Sequence, residues 1–161
     1  MNRVLVLGSP GSGKSTFARA LQAKTGLPLV YLDCLFWNAD KTTVPREVFL
    51  QRIDAALAAP QWIMDGDFAS SLPQRLARCD TVFMLDIPLE DCLAGVRARL
   101  GKKRPDLPWV DEYDEEFFEY IRRWHAEGRA QKLRETLNAR PDLENHIFTS
   151  HAEAQAYIST L

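Results

Sequence analysis

Short apolar runs alternate along the chain with stretches in which apolar residues recur at helical spacing. The apolar runs predict five buried strands, at 3–7, 29–32, 62–65, 81–85 and 146–149. The helically spaced stretches predict helices at 14–24, 45–59, 71–78, 90–100, 115–138 and 152–161. Strands separated by helices in this way are typical of an α/β fold, in which a parallel sheet is covered on both faces.

The length and composition predict a single domain that spans residues 1–161. It has 161 residues, of which 46% are hydrophobic and 26% charged, and it contains no internal repeat or low-complexity linker. The 20 Lys and Arg against 22 Asp and Glu leave a net charge of −2, which argues against nucleic acid or an anionic membrane as a partner. No apolar run approaches the roughly 20 residues that a membrane span needs.

The cysteines bear on where the protein works. Cys34, Cys79 and Cys92 are far apart and form no CxxC pair. This pattern favours reduced residues in or near the core over a disulfide or a metal site. The first apolar stretch is also too short for a signal peptide. We therefore expect a cytoplasmic protein.

A glycine-rich motif lies between the first predicted strand and the first helix. Eight consecutive residues match the pattern GxxxxGK(S/T): Gly8, Ser9, Pro10, Gly11, Ser12, Gly13, Lys14 and Ser15. Such a loop points successive backbone N–H groups and a helix N-terminus at one anion. Lys14 is predicted to reach the β- and γ-phosphates of ATP, Ser15 to ligate Mg²⁺, and Thr16 to lie near the α-phosphate.

An acidic residue at the end of the third strand indicates what happens to the phosphate. Asp65 follows an apolar run, and the carboxyl end of a parallel strand is where such a sheet binds ligands. We predict that Asp65 holds Mg²⁺ directly or through water; an Asp-Gly turn is the simpler alternative. A hydrolase usually has a Glu beside that Asp to polarise water, and Gly66 stands there instead. This favours a kinase.

A second acidic residue, Asp33, follows the second predicted strand and is expected at the same sheet edge. We predict that it accepts a hydrogen bond from the phosphoryl acceptor or takes its proton. Phe36 and Trp37 follow and are candidates to stack on a flat acceptor, although core packing explains Phe36 equally well.

The segment 97–116 has the features of a short mobile lid. It carries five basic residues followed by six acidic ones, and it includes Gly101 and Pro105. Phosphoryl transfer needs cations that close over the transferring group, whereas a solvated loop with two self-neutralising charge blocks is the simpler alternative.

The predicted long helix at 115–138 supplies further candidate cations. Its apolar stripe is Phe117, Ile121 and Trp124. Arg122 and Arg129, seven residues apart, are expected on another face that also carries Phe118 and His125, and to point at the site. Arg123 and Arg134 are expected at the surface, and His125 is expected to be a surface or packing residue.

Together these motifs resemble the adenylate-kinase-like P-loop proteins of the "topology modulation protein" group. In order, they are Gly-Ser-Pro-Gly-Ser-Gly-Lys-Ser, Tyr-Leu-Asp-x-Leu-Phe-Trp, Trp-Ile-Met-Asp-Gly-Asp-Phe, Leu-Asp-Ile-Pro and Arg-Pro-Asp. The resemblance runs from residue 3 to about residue 135. It implies a nucleoside monophosphate kinase-like architecture, with five parallel strands in the order 2-3-1-4-5 and a lid after the fourth-strand helix, and it implies ATP and Mg²⁺ as ligands.

The same resemblance implies roles for individual residues. Asp33, Asp67 and Phe68 would border the acceptor site, and Arg97, Arg104 and Arg129 would reach phosphates. The chain departs from adenylate kinases where these have Phe-Pro-Arg, since Asp67, Phe68 and Ala69 stand there. An acid at that place would repel a phosphorylated acceptor.

The function predicted from the sequence is therefore transfer of the γ-phosphoryl group of Mg·ATP to a small-molecule acceptor, a nucleotide, nucleoside or similar hydroxyl compound. The residues expected to carry it are Lys14, Asp33, Arg97, Arg104 and Arg129. The alternatives are an ATP-binding regulatory module that acts on DNA topology, and an ATPase that drives a partner's motion.

Overall fold

The computed structural model describes all residues, 1–161, and contains one five-stranded parallel sheet. The strands are β1 (Arg3–Gly8), β2 (Leu29–Tyr31), β3 (Trp62–Asp65), β4 (Thr81–Leu85) and β5 (Glu144–Phe148). Their order is β2-β3-β1-β4-β5 and every neighbouring pair is parallel. The fold predicted from the sequence is confirmed, and β1, which leads into the glycine-rich motif, lies at the centre.

The helices connect the strands and cover both faces of the sheet. They are α1 (Lys14–Thr25), α2 (Leu32–Phe36), α3 (Arg46–Leu57), α4 (Leu72–Leu76), α5 (Leu89–Arg99), α6 (Glu115–Ala126), α7 (Arg129–Asn138) and α8 (His151–Thr160). A single 3₁₀ turn, Ala69–Ser71, precedes α4. Residues 100–114, the centre of the predicted lid, connect α5 to α6 without a helix or strand. No helix is both long and apolar enough to cross a membrane.

The central strand divides the core in two, because successive side chains of a strand point to opposite faces. Val4 and Val6 belong to one cluster of 18 buried residues, which α1, α5 and α8 cover. Leu5 and Leu7 belong to a second cluster of 18, which α3, α4 and α7 cover. A strand buried on both faces is what the continuous apolar run at 3–7 predicts.

The predicted helix at 115–138 is wrong in one respect, since it is two helices. Gly128 has a φ of +67°, a left-handed conformation that ends α6 and begins α7. Arg122 lies on α6 and Arg129 is the first residue of α7, so the seven-residue spacing does not place them on one face. Phe118 is buried, whereas Phe117 is only partly buried, which reverses their predicted roles.

The second strand is also shorter than predicted. It ends at Tyr31, and Leu32–Phe36 form a short helix that the sequence analysis missed. Leu32 is fully buried in the core, and Leu35 and Phe36 pack against it. Asp33 therefore lies in the first turn of a helix rather than at a strand end. Cys34 is exposed, contrary to the prediction, whereas Cys79 and Cys92 are buried.

Candidate active site

The glycine-rich loop is held against helix α5 by direct backbone contact. A Cβ atom on Gly11 would lie 2.1 Å from the Cys92 carbonyl oxygen, and one on Gly95 would lie 2.4 Å from the Gly11 carbonyl oxygen. Gly11 also has a φ of +79°, in the left-handed region. Only glycine at both positions permits this approach, which fixes the loop between β1 and α1.

The helix that leaves the loop begins with uncapped backbone donors. Gly13 is the N-cap of α1 and makes no side-chain capping bond, so the N-terminus of the helix remains available to an anion. The Lys14 ammonium donates to the Ser9 carbonyl oxygen, at 2.8 Å. The amine thus lies across the loop that it is predicted to serve.

A hydrogen bond between Ser15 and Asp65 joins this loop to the third strand. The Ser15 hydroxyl donates to Oδ2 of Asp65, at 2.5 Å. Asp65 is 5% exposed, and its other oxygen, Oδ1, is buried without a hydrogen-bond partner. Burial raises the pKa of Asp65 to about 6, and Lys14 and the Ser15 hydrogen bond oppose this effect.

Asp33 lies near the same loop, although α2 rather than a strand presents it. Burial raises the pKa of the Asp33 carboxyl, and the positive charge of Lys14 is the largest opposing influence. Asp106 on the lid raises it further, whereas Arg99 and Arg104 lower it. A carboxylate, an ammonium group and lid arginines therefore share one region.

The lid is tied down by a network of ion pairs beside the loop. Arg104 pairs with Asp106, at 3.2 Å, and with Asp111, at 3.6 Å. Arg99 pairs with Asp111, at 3.2 Å, and Arg19 lies 3.9 Å from Asp106. Asp106 is 4% exposed, and its Oδ1 has no hydrogen-bond partner.

The lid also contacts helix α2 across the site. The Cys34 thiol lies 3.7 Å from the Pro105 carbonyl oxygen, and the rings of Trp37 and Trp109 meet edge to face with centroids 5.3 Å apart. These contacts place Trp37, a predicted acceptor contact, between α2 and the lid.

The loop, the lid and helix α8 enclose a cavity of about 430 Å³, the phosphate-loop cavity. Its polar lining includes Lys14, Ser15, Thr16, Arg19, Arg99, Arg104, Asp106 and His151. His151 Nε2 lies 3.1 Å from the Ser12 carbonyl oxygen. The floor toward α8 is apolar and includes Phe17, Ala154 and Ile158.

A second group of residues lies around the loop that follows β3. Arg129 and the Trp124 indole N–H both donate to Oδ2 of Asp67, at 2.9 and 2.8 Å. Arg75 is fully buried, and it donates to the carbonyl oxygens of Gly66, Asp67 and Phe68. These bonds fix the shape of the loop.

The same loop forms one wall of a cavity of about 360 Å³, the aromatic cavity. The ring of Phe68 packs against those of Phe36 and Phe49, with centroids 4.9 and 5.0 Å away. The cavity is lined by Phe36, Thr43, Val44, Arg46, Phe49, Phe68 and Ser70. Phe36 thus contributes both to the core and to the cavity wall.

The structure brings most of the predicted residues together, with two exceptions, Arg97 and Arg122. Arg97 is exposed and lies over the Phe118 ring, 5.3 Å from its centroid, and it does not line the phosphate-loop cavity. Arg99, two residues further along the same helix, lines the phosphate-loop cavity instead. Arg122 pairs with Glu115 and Glu119, and Arg134 pairs with Asp86.

Four titratable residues of the cavity were not among the predicted site residues: Arg19, Arg99, Asp106 and His151. His151 begins the helix after β5, at the edge where the other strands end, and that position was a usable signal. Asp106 lies in the Arg-Pro-Asp run, but its pairing with arginines of α1 and the lid is set by the tertiary structure.

Comparison with known proteins finds adenylate kinases among the relatives of this chain. The adenylate kinase of Corynebacterium glutamicum (strain R) is 30% identical over 146 residues, which cover 86% of this chain and 77% of the relative. The adenylate kinase of Micrococcus luteus is 29% identical over 157 residues, covering 89% of this chain and 72% of the relative. No protein-family model matches the chain.

Among solved structures, similarity extends over nearly the whole chain. A shikimate kinase from Bacteroides thetaiotaomicron superposes with a TM-score of 0.61 at 16% identity, over 99% of this chain and 95% of that one. A deoxyadenosine kinase from M. mycoides with bound dATP gives a TM-score of 0.55 at 14% identity, over 98% and 95%. At such identities these likenesses describe the fold.

Proposed function

This chain belongs to the adenylate-kinase-like family of P-loop NTPases, and we propose that it transfers the γ-phosphoryl group of ATP to a small-molecule acceptor. Membership makes it a P-loop nucleotide kinase-like enzyme. The observation that carries the finer proposal is the Ser15–Asp65 hydrogen bond beside Lys14, with Asp33 in the same region.

The Ser15–Asp65 pair fits a Mg²⁺ ion. Oδ1 of Asp65 is buried without a partner, and a buried carboxylate oxygen without a partner is costly unless a ligand compensates for it. Serine hydroxyl and carboxylate oxygens are suitable Mg²⁺ ligands, and Mg²⁺ commonly takes only one or two protein ligands beside substrate phosphates. Bound there, Mg²⁺ would neutralise charge on the β- and γ-phosphates.

The donor triphosphate is proposed to lie in the phosphate-loop cavity. The loop amides and the N-terminus of α1 bind phosphate oxygens, and Lys14 exchanges the Ser9 carbonyl oxygen for the β- and γ-phosphates. Arg104, with Arg99 in the place expected for Arg97, lines this cavity and stabilises the charge of the transferring group. Arg129 acts from the side of Asp67, where it is ion-paired.

The acceptor is proposed to lie between α2, the lid and the loop after β3. Asp33 accepts a hydrogen bond from the acceptor hydroxyl and takes its proton during transfer. Phe36, Trp37 and Phe68 provide aromatic surfaces for the rest of the molecule. Asp67 borders the region through the loop that Arg75 holds in place.

Kinase activity is favoured over simple hydrolysis, because Gly66 follows Asp65 and no acid stands beside it. It is also favoured over a role on DNA. The lid arginines Arg99 and Arg104 are paired with Asp106 and Asp111, so they do not form a free basic surface for a phosphate backbone.

ADP release from Mg·ATP, measured with and without a panel of acceptors, tests the proposal. The panel contains nucleosides, nucleoside monophosphates, shikimate and sugar acids. Lys14→Ala provides the blank, and Lys24→Ala, an exposed lysine at the other end of α1, is the matched control. Stimulation by an acceptor in the wild type and Lys24→Ala only is the expected result. ATP binding without any stimulated release would contradict it.

A further inference from the structure

The charges around the proposed acceptor site bear on which atom receives the phosphoryl group. A phosphate that acts as the nucleophile carries negative charge toward the γ-phosphate, so it needs cations of its own. A hydroxyl nucleophile needs a group that accepts its proton. The two acceptor classes therefore require opposite charges at the site.

Two arginines beside the loop after β3, Arg75 and Arg129, are already engaged. Arg75 is fully buried, and its guanidinium bonds to three backbone carbonyl oxygens and to the Ser71 hydroxyl. Arg129 donates to the Asp67 carboxylate, at 2.9 Å, and to the Tyr120 hydroxyl, at 3.0 Å. Neither guanidinium is left to compensate a second phosphate. Arg99 and Arg104 line the cavity of the donor.

Besides Lys14 and the arginines of the donor cavity, the charged groups near the transfer point are carboxylates. Asp33, Asp65 and Asp106 come from α2, β3 and the lid, and each lies close enough to the others to act on them electrostatically. Oδ1 of Asp65 and Oδ1 of Asp106 are both buried without a hydrogen-bond partner. Asp65 is the proposed Mg²⁺ ligand and Asp106 is ion-paired with Arg104, whereas Asp33 has no ion pair. The Asp33 carboxylate therefore repels a phosphorylated acceptor and suits a hydroxyl donor.

The aromatic cavity adds the second requirement, a surface for the rest of the acceptor. Phe36, Phe49 and Phe68 form its aromatic part, and the one charged residue in its lining is Arg46, an exposed residue at the start of α3. The aromatic surface of this cavity, whose volume is about 360 Å³, fits a flat ring.

From this arrangement we infer that the acceptor is an unphosphorylated hydroxyl compound with a flat ring, of the nucleoside class, rather than a nucleoside monophosphate. The inference rests on the proposed kinase function. The acceptor oxygen attacks the γ-phosphorus, the bond from that phosphorus to the β–γ bridging oxygen breaks, and ADP leaves. The hydroxyl proton passes to Asp33, and the product is a phosphate monoester.

The test compares matched pairs, each nucleoside beside its own 5′-monophosphate, in the wild type and in Asp67→Asn. Asparagine keeps an oxygen for the Trp124 indole but removes the charge that neutralises Arg129. Turnover is measured as kcat/KM, and binding is measured separately by tryptophan fluorescence, since Trp37 and Trp109 adjoin the site. Asp142→Asn, which breaks an exposed pair with Arg140, is the control.

The wild type is expected to prefer at least one nucleoside over its monophosphate by roughly tenfold or more in kcat/KM. Asp67→Asn should narrow this gap by improving the monophosphate, and Asp142→Asn should leave the gap unchanged. Equal or better use of a monophosphate by the wild type would overturn the inference and leave the kinase proposal intact. Nucleoside binding without any transfer would contradict the kinase proposal alone, and failure of every nucleoside to bind would overturn the inference.

Discussion

The Ser15 hydroxyl on helix α1 and the Asp65 carboxylate at the end of β3 are hydrogen-bonded at 2.5 Å, although 50 residues separate them in the chain. The contact follows from the sheet order, because β3 lies directly beside β1 and both strands end at the same edge. Every other proposed group of the site is placed relative to this pair.

Burial of Asp65 should make the ligand-free protein less stable as the pH rises. The native pKa, about 6, lies above the ordinary value of 3.8, so the native state binds more protons in that interval and stability falls as pH rises through it. Above the interval the loss is about 3 kcal/mol. Denaturant unfolding of wild type and Asp65→Asn at about pH 4 and about pH 7, without Mg²⁺ or nucleotide, measures it.

Asp65→Asn should lack this part of the pH dependence. The unfolding free energy of the wild type minus that of Asp65→Asn should therefore fall by about 3 kcal/mol between about pH 4 and about pH 7. Asp54→Asn, at an exposed position of α3, is the control. Parallel stability profiles for the wild type and Asp65→Asn would show that the carboxylate is not destabilised by burial.

Lys14→Ala should abolish phosphoryl transfer without unfolding the protein. The ammonium bonds only to the Ser9 carbonyl oxygen, and the aliphatic chain is not part of either core cluster. We expect a fall in kcat/KM of at least about a hundredfold and a change in unfolding free energy within about 1 kcal/mol. Steady-state kinetics and thermal unfolding measure the two quantities, and wild-type turnover in Lys14→Ala would remove the lysine from the mechanism.

Asp33→Asn should reduce acceptor-dependent turnover far more than ATP binding. The amide does not accept a proton, so we expect a loss of about 10²–10⁴-fold in kcat. The wild-type kcat should rise with pH as Asp33 loses its proton, and this rise should lie above the ordinary range for aspartate because burial raises the pKa of the carboxyl. A pH profile of kcat and an ATP titration provide the data. Equal losses in turnover and in Mg·ATP binding would place Asp33 on the metal instead.

Gly95→Ala should destabilise the protein, although alanine is normally better than glycine inside a helix by about 1 kcal/mol. The added Cβ would lie 2.4 Å from the Gly11 carbonyl oxygen, so the glycine-rich loop must move. We expect both a lower melting temperature and weaker ATP binding. Ala94→Gly, at the neighbouring exposed position of α5, should cost about 1 kcal/mol by propensity and leave ATP binding unchanged. Wild-type ATP affinity in Gly95→Ala would contradict the close contact.

The class of fold and the phosphate loop could be predicted from the amino-acid sequence. Runs such as 4–7 and 82–85 are apolar at every position, which is typical of strands buried on both faces of a parallel sheet. The loop from Gly8 to Ser15 is local in the chain, so its spacing alone predicts its shape and its neighbours. Asp65 was predictable for a related reason, since the end of a buried parallel strand lies at the ligand-binding edge.

The tertiary structure alone decided which side chains meet across distant elements. Asp67 is neutralised by Arg129, Arg99 rather than Arg97 lines the cavity, and Asp106 reaches Arg19 on another helix. A short helix, Leu32–Phe36, and a break at Gly128 change the direction of the chain at the points where these contacts are set. Periodicity records which face of an element is buried, but the pairing of charges depends on where elements cross, and crossing is set by packing of the whole core.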